Sequence, residues 1–171
     1  MDHSNVWIEG QRLSALKKGY ADTGMIFDTQ WVYDFEALLY VVADGGYVRA
    51  KLYASEAPGS GRQMWGMAEK SHYTVELIPR SASNKEKAVD TKMIWDIAWD
   101  MKGRSPNHNV VTIVGGDKDF LPAVEGLREA GFTVAVASWD HSVSGHLKRK
   151  ASRFIRLDDF FHALTYYKTT S

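Results

Sequence analysis

Short apolar runs alternate with amphipathic stretches along the chain, and this pattern sets the first expectations. Runs of about four to eight β-branched or aromatic residues suit strands. They predict strands at Val6 to Glu9, Tyr47 to Ala54, Tyr73 to Ile78, Val110 to Val114, Thr133 to Ser138 and Arg153 to Arg156. Between them, helical spacing predicts helices at Gln11 to Lys18, Tyr33 to Val42, Arg62 to Lys70, Lys87 to Met101, Phe120 to Ala130, Ser144 to Ala151 and Asp158 to Leu164. Gly19 to Val32 is open, because Met25-Ile26-Phe27 suits either an extra strand or a buried loop. Asp44-Gly45-Gly46 reads as a turn, Pro58 to Gly61 as a loop and Pro79 to Glu86 as a polar connection. Pro122 fits the first turn of its helix and Gly131 the C-terminal cap.

Strands alternating with helices imply βαβ units around a mostly parallel sheet. In such a sheet every strand-to-helix junction lies at one edge, so acids at those junctions meet in space. Glu9 closes the first predicted strand, Asp117 follows Val110 to Val114, Asp119 stands at the next helix N-cap, and Asp90 lies in the first turn of its helix. Asp90 is in register with Met93, Ile94 and Ile97, which aims it along the core-facing stripe. Asp119 as a cap and Asp90 at a helix dipole are the ordinary explanations taken singly. Together, packed carboxylates raise one another's pKa unless a hard divalent cation offsets the charge. Asp34 and Asp44 read as capping or solvated residues, and Asp96 as ambiguous.

Composition narrows the chemistry. With 171 residues the chain is expected to form one domain, residues 1–171. Its 21 basic and 21 acidic side chains cancel, so any nucleic-acid contact must come from a local patch. There is no cysteine, which excludes thiolate ligands, Cys nucleophiles and disulfides. No leader pattern or membrane-length apolar run is visible, and a cytoplasmic location with no membrane contact is the expectation.

Gly116-Asp117-Lys118-Asp119-Phe120 after an apolar strand resembles the Ser-Gly-Asp-x-Asp-Phe signature of NYN domains, a branch of the PIN-like nucleases. Lys87-Ala88-Val89-Asp90, with Asp96 six positions on, resembles that family's Lys-Gly-Val-Asp helix start, and Ile8-Glu9-Gly10-Gln11-Arg12-Leu13 its opening Ile-Asp-Gly-x-Asn-Leu. Ser144, Leu147, Ala151 and Phe154 to Leu157 match the spacing of its closing segment.

The resemblance implies a three-layer α/β fold of PIN-like, Rossmann-like type, with a mostly parallel twisted sheet flanked by helices. It implies a metal-dependent ribonuclease in which Glu9, Asp90, Asp117 and Asp119 are catalytic and hold Mg²⁺ or Mn²⁺. Single-stranded RNA is the expected partner, met by Arg12, Lys87, Lys118, Lys148, Arg149 and Lys150, with Trp139 and His141 as stacking candidates. A homodimer is left open.

Three departures from the pattern accompany the likeness. Glu9 stands for Asp, Arg12 for Asn and Gly115 for Ser; the longer arm would shift a metal, and the guanidinium can pair with carboxylates in its place. They support the alternative, a catalytically impaired RNA-binding or protein-interaction module. A haloacid-dehalogenase-type phosphohydrolase needs Asp-x-Asp after the first strand, which Glu9-Gly10-Gln11 does not supply.

Overall fold

The computed structural model describes residues 1–20, 26–56, 62–79 and 85–167. Its elements are α1 (His3–Lys17), β1 (Trp31–Tyr33), α2 (Phe35–Ala43), β2 (Ala50–Glu56), α3 (Arg62–Lys70), β3 (Tyr73–Pro79), α4 (Lys85–Met101), β4 (Val110–Val114), α5 (Leu121–Glu129), β5 (Thr133–Ser138), α6 (Gly145–Lys150), β6 (Arg153–Arg156), α7 (Phe161–Leu164) and β7 (Thr165–Tyr167).

Two parallel blocks form the sheet. β2 pairs with β3, and β5 lies between β4 and β6. Met1 and Asp2 join the blocks: the Tyr53 N–H donates to the Met1 carbonyl at 2.9 Å, and the Asp2 N–H donates to the Val114 carbonyl at 2.9 Å. A short antiparallel pair, β1 with β7, sits apart.

Alternation along the strands makes two cores. Leu52, Ala54, Val114, Ala137 and Trp139 face one cluster with Trp31, Leu38 and Phe161. Tyr53, Ile113, Val134 and Val136 face the other, with Met93, Phe120, Val124 and Leu147. Successive residues of one strand thus serve opposite layers, as a sheet covered on both faces requires. The expected α/β fold, parallel strands flanked by helices, is what the chain adopts.

The predicted strand at Val6 to Glu9 is instead part of α1. Its buried stripe is His3, Val6, Gly10, Gln11, Ser14 and Ala15, at helical spacing but built mostly of small and polar residues. Ile8, which made the segment look strand-like, is an exposed residue. Gly10 lets the helix lie flat: a Cβ there would meet the Trp31 ring at 2.2 Å. Ile26 and Phe27 are in an exposed connection rather than a strand, and Met25 lies outside the described residues. So do the predicted loop at Pro58 to Gly61 and most of the connection after Pro79.

Candidate functional site

The C-terminal rim of the parallel strands carries the acids. Beyond β4 the chain passes through Gly115 and Gly116 to Asp117, which caps a single 3₁₀ turn, Lys118–Phe120. Its carboxylate accepts the Asp119 N–H at 2.9 Å, so the capping residue is Asp117 and not Asp119 as predicted. Buried Phe120 anchors the turn from below. The Gly116 carbonyl accepts the Ser144 N–H at 2.8 Å. There is no room for a side chain at Gly116, where a Cβ would stand 2.6 Å from Ser138 Oγ and 2.9 Å from the Ser142 carbonyl.

Asp2 sits beside this turn. It caps α1 by accepting the Asn5 N–H at 3.2 Å and is 8% exposed. Burial pushes its carboxyl above the usual carboxylate range against the pull of the Asn5 and Ser4 amides and the Met1 amino group, and the charge of Asp117 adds a smaller push. Asn5 Oδ1 in turn accepts the Gly116 N–H at 3.0 Å, which ties the start of α1 to the Asp117 turn.

A groove of about 640 Å³ opens next to these residues, lined by Asp90, Asp119, Lys118, Thr91, Ser144 and His146 among others. Asp90, in the first turns of α4, is 8% exposed. The rim therefore brings Asp117 to Asp2, and Asp90 to Asp119.

Glu9 belongs to a different setting. It lies midway along α1, bonded to His141 Nε2 at 2.9 Å and facing Arg12 Nη1 at 3.6 Å. The His141 bond holds its carboxyl below the usual range despite partial burial, with Arg12 contributing. The strand end that nominated Glu9 does not exist, and Arg12 pairs with Glu9 rather than plugging an acidic cleft. His141 is thereby the hydrogen-bond partner of Glu9, and Trp139 is not available for stacking on bases. It is fully buried, its indole N–H donating to the Val6 carbonyl at 2.9 Å.

Among the predicted RNA contacts, Lys118 lies in the groove and Arg149 on the exposed face of α6. Lys148 is taken by Asp140 at 2.6 Å and Lys150 by Glu125 at 2.9 Å. The Lys87 side chain lies outside the described residues. Asp96 proves to be a packing residue: it accepts the Tyr53 hydroxyl at 2.9 Å and pairs with Lys92 at 2.5 Å. Burial pushes its carboxyl up, but these two partners outweigh that and hold it low.

Asp2 and Asn5 were missed, although the signal was present. The family's opening pattern sets Asn three residues after Asp, and Met1-Asp2-His3-Ser4-Asn5-Val6 repeats that interval without substituting either. With the motif placed there, the departures at Glu9 and Arg12 vanish. Gly115 is accounted for by space: a Cβ would meet Phe120 at 3.2 Å and the Asp2 Cβ at 3.4 Å.

The donor set at the rim is oxygen, suited to a hard divalent cation. Among the described residues no three Asp, Glu or His side chains converge as a ready-made metal cage. Mg²⁺ does not require one, since it keeps several waters and is commonly held by one or two carboxylates plus substrate phosphate. The residues present fit such a cation, with the paired charges of Asp2 and Asp117 as the place it would offset.

No curated protein matches the chain. A solved structure of a protein of unknown function from Vibrio parahaemolyticus is similar, with a TM-score of 0.65 and 24% identity over 78% of this chain and 82% of that one. At that identity the likeness shows the fold. The family model described as NYN domain matches residues 3–158, spanning both the Asp90 and Asp117 motifs. The chain therefore belongs to the NYN domain family, a family of PIN-like nucleases.

Proposed function

We propose that this protein is a metal-dependent ribonuclease that hydrolyses single-stranded RNA at the carboxylate rim, with Mg²⁺ or Mn²⁺ held by Asp2 and Asp117. The observation that carries this reading is the buried Asp2 carboxylate held beside the Asp117 turn, whose next residues, Lys118 and Asp119, line a groove of about 640 Å³. When bound, the cation would supply an acidified water and offset charge at the phosphate. Asp90 and Asp119 border the groove, where they orient water bound near the site. Lys118 and His146 lie in the same groove, within which they would contact substrate phosphate. Asn5 holds the Asp2 and Asp117 turns in register.

One observation favours a second reading, a non-catalytic RNA- or protein-binding module: no three ligand side chains converge among the described residues. Cleavage of labelled single-stranded RNA with Mn²⁺ separates the two. Asp2→Asn and Asp117→Asn should each lower the rate by about a hundredfold or more, as removal of a charge-stabilising group does, while Glu9→Gln keeps most activity. A saturating cation should also raise the melting temperature of the wild type, by about 2.7 kcal/mol of stabilisation at a hundred times Kd. Wild type and Asp117→Asn equally inert, with no thermal response to Mn²⁺, would leave the binding module as the function.

A further inference from the structure

Two indoles on α4 have no role in either core. Trp95 and Trp99 are 64% and 63% exposed, and their rings lie nearly parallel, with centroids 6.4 Å apart and 16° between planes. Lys102 Nζ stands 5.1 Å from the Trp99 ring centroid, a cation on an aromatic face. The pair borders a second groove, of about 610 Å³, between α4 and α5.

This groove is continuous with the carboxylate groove, since Ile94 and Pro122 line both. Along α4, Thr91 in the first groove is followed by Trp95 and Trp99 at successive intervals of four residues, about 6 Å per step on one helix face. From Asp90 the two rings are about 8 and 14 Å along the axis, a distance that a few nucleotides of extended strand cover.

We propose that single-stranded RNA leaves the carboxylate groove along α4 and that its bases stack on Trp95 and Trp99, with Lys102 beside the backbone. The placement of the phosphodiester rests on the nuclease reading above, whereas the stacking platform is tested without it. Exposed indoles, a neighbouring cation and continuity with a groove that holds Lys118 and His146 are the features of a sequence-tolerant single-strand path. The groove beneath the indoles is apolar, with Ile97, Met101, Leu127 and Phe132 in its lining, so a protein helix is the competing occupant; it would draw on apolar bulk, and RNA on the planar faces. That difference decides the experiment.

Binding of a fluorescein-labelled oligouridylate of about 12 nucleotides is measured by anisotropy in chelator, so that cleavage does not intrude. Trp95→Ala and Trp99→Ala should each weaken affinity about tenfold, the penalty growing with oligonucleotide length. Phe at either position should restore most of the affinity, whereas Leu, apolar but not planar, should not. Both rings are exposed, so melting temperatures should show the variants folded. Affinity that is unchanged in the Ala variants, Leu performing as well as Phe, or no oligouridylate binding by the wild type would each overturn the proposal. A dimer that dissociates in the Ala variants during sedimentation, with RNA affinity intact, would assign the face to a second copy instead. Cleavage and stacking fail separately: Trp-dependent binding without Asp117-dependent cleavage removes the nuclease reading alone, and the reverse removes the path alone.

Discussion

Gly116→Ala puts one methyl group where the geometry of the rim is tightest. The added Cβ would lie 2.6 Å from Ser138 Oγ, 2.9 Å from the Ser142 carbonyl oxygen and 3.0 Å from Val143 Cα. Ser138 can turn its hydroxyl aside, but the other two are backbone. Ordinary carbon contacts begin near 3.5 Å, so one of the two turns must move by about 0.5–1 Å. The 142–143 turn is held by Ser142 and Val143 N–H bonds to the Trp139 carbonyl, at 3.2 and 3.1 Å, and Trp139 is fully buried. The strain falls therefore on the turn that carries Asp117. Overpacking of this size costs about 1–3 kcal/mol, or roughly 3–10 °C in Tm for a chain of this length. Displacing Asp117 by up to an ångström should lower the cleavage rate by up to about a hundredfold. Gly66→Ala is the control, because a Cβ at that position in α3 meets nothing within 4 Å. It should raise stability by about 1 kcal/mol through helix propensity. Thermal melts and initial rates on labelled RNA read both quantities. A Gly116→Ala protein with wild-type Tm and rate would refute the reasoning, since the backbone would then have room that the distances deny.

Three other outcomes follow from named contacts. Glu9→Gln should cost no more than about 1 kcal/mol, because the pair with His141 is solvent-accessible and screened. The folded-state pKa of Glu9 is lowered, first by the His141 hydrogen bond; its contribution is thus present above the unfolded carboxylate pKa and lost as pH falls through the folded value. Urea titrations across the acid range should show the wild-type advantage over Glu9→Gln closing as pH drops, and an advantage that grows instead would contradict the assignment. Tyr53→Phe removes the hydroxyl bonded to Asp96 at 2.9 Å and should destabilise by about 1.5–3 kcal/mol in equilibrium unfolding, with the residual activity of folded protein unchanged. Gly10→Ala places a Cβ 2.2 Å from the rigid Trp31 ring and should lower Tm despite the better helix propensity of alanine; a higher Tm would mean that Trp31 can retreat from Phe161, on which it stacks.

The strands most readable in the sequence are those of the β4–β5–β6 block. Val110–Val114 and Thr133–Ser138 match their expected bounds because a largely buried strand needs a short apolar run and little else writes one; Arg153–Arg156, at the edge and exposed at both ends, matches through its central Phe154-Ile155 pair. α1 was half lost for the opposite reason. The rings of Trp31 and Trp139 descend onto its surface at Gly10, Gln11 beside it donates to the Trp31 carbonyl, and Ser14 to Asp28, so this face is small or polar. Hydrophobic periodicity registers the large partner and not the cleared surface that accepts it. β1 and β7, three residues each, are too short to carry a pattern at all. At the site, Asp117 was legible because a full strand leads into it. Asp2 was not, because the segment that presents it is only Met1 and Asp2, an isolated bridge held by two hydrogen bonds to β2 and one to β4.

The charge at Asp2 has a meaning that capping does not explain. Ser and Asn cap helices as well as Asp does, and either would accept the Asn5 N–H without placing a charge in a site that is 8% exposed. The favourable effect of the helix dipole on a carboxylate at this end is about 0.3–1 kcal/mol. Against it stands burial, which outweighs the Asn5 and Ser4 amides and the Met1 amino group and, with a smaller repulsion from Asp117, leaves the carboxyl harder to ionise than it would be in water. Folding stability alone therefore selects against an acid at position 2. The same residue is locked to its neighbour through Asn5, whose N–H and side-chain oxygen bind the Asp2 and Gly116 groups and keep the two charges from separating. On the nuclease reading proposed above, a divalent cation held by Asp2 and Asp117 would offset that cost.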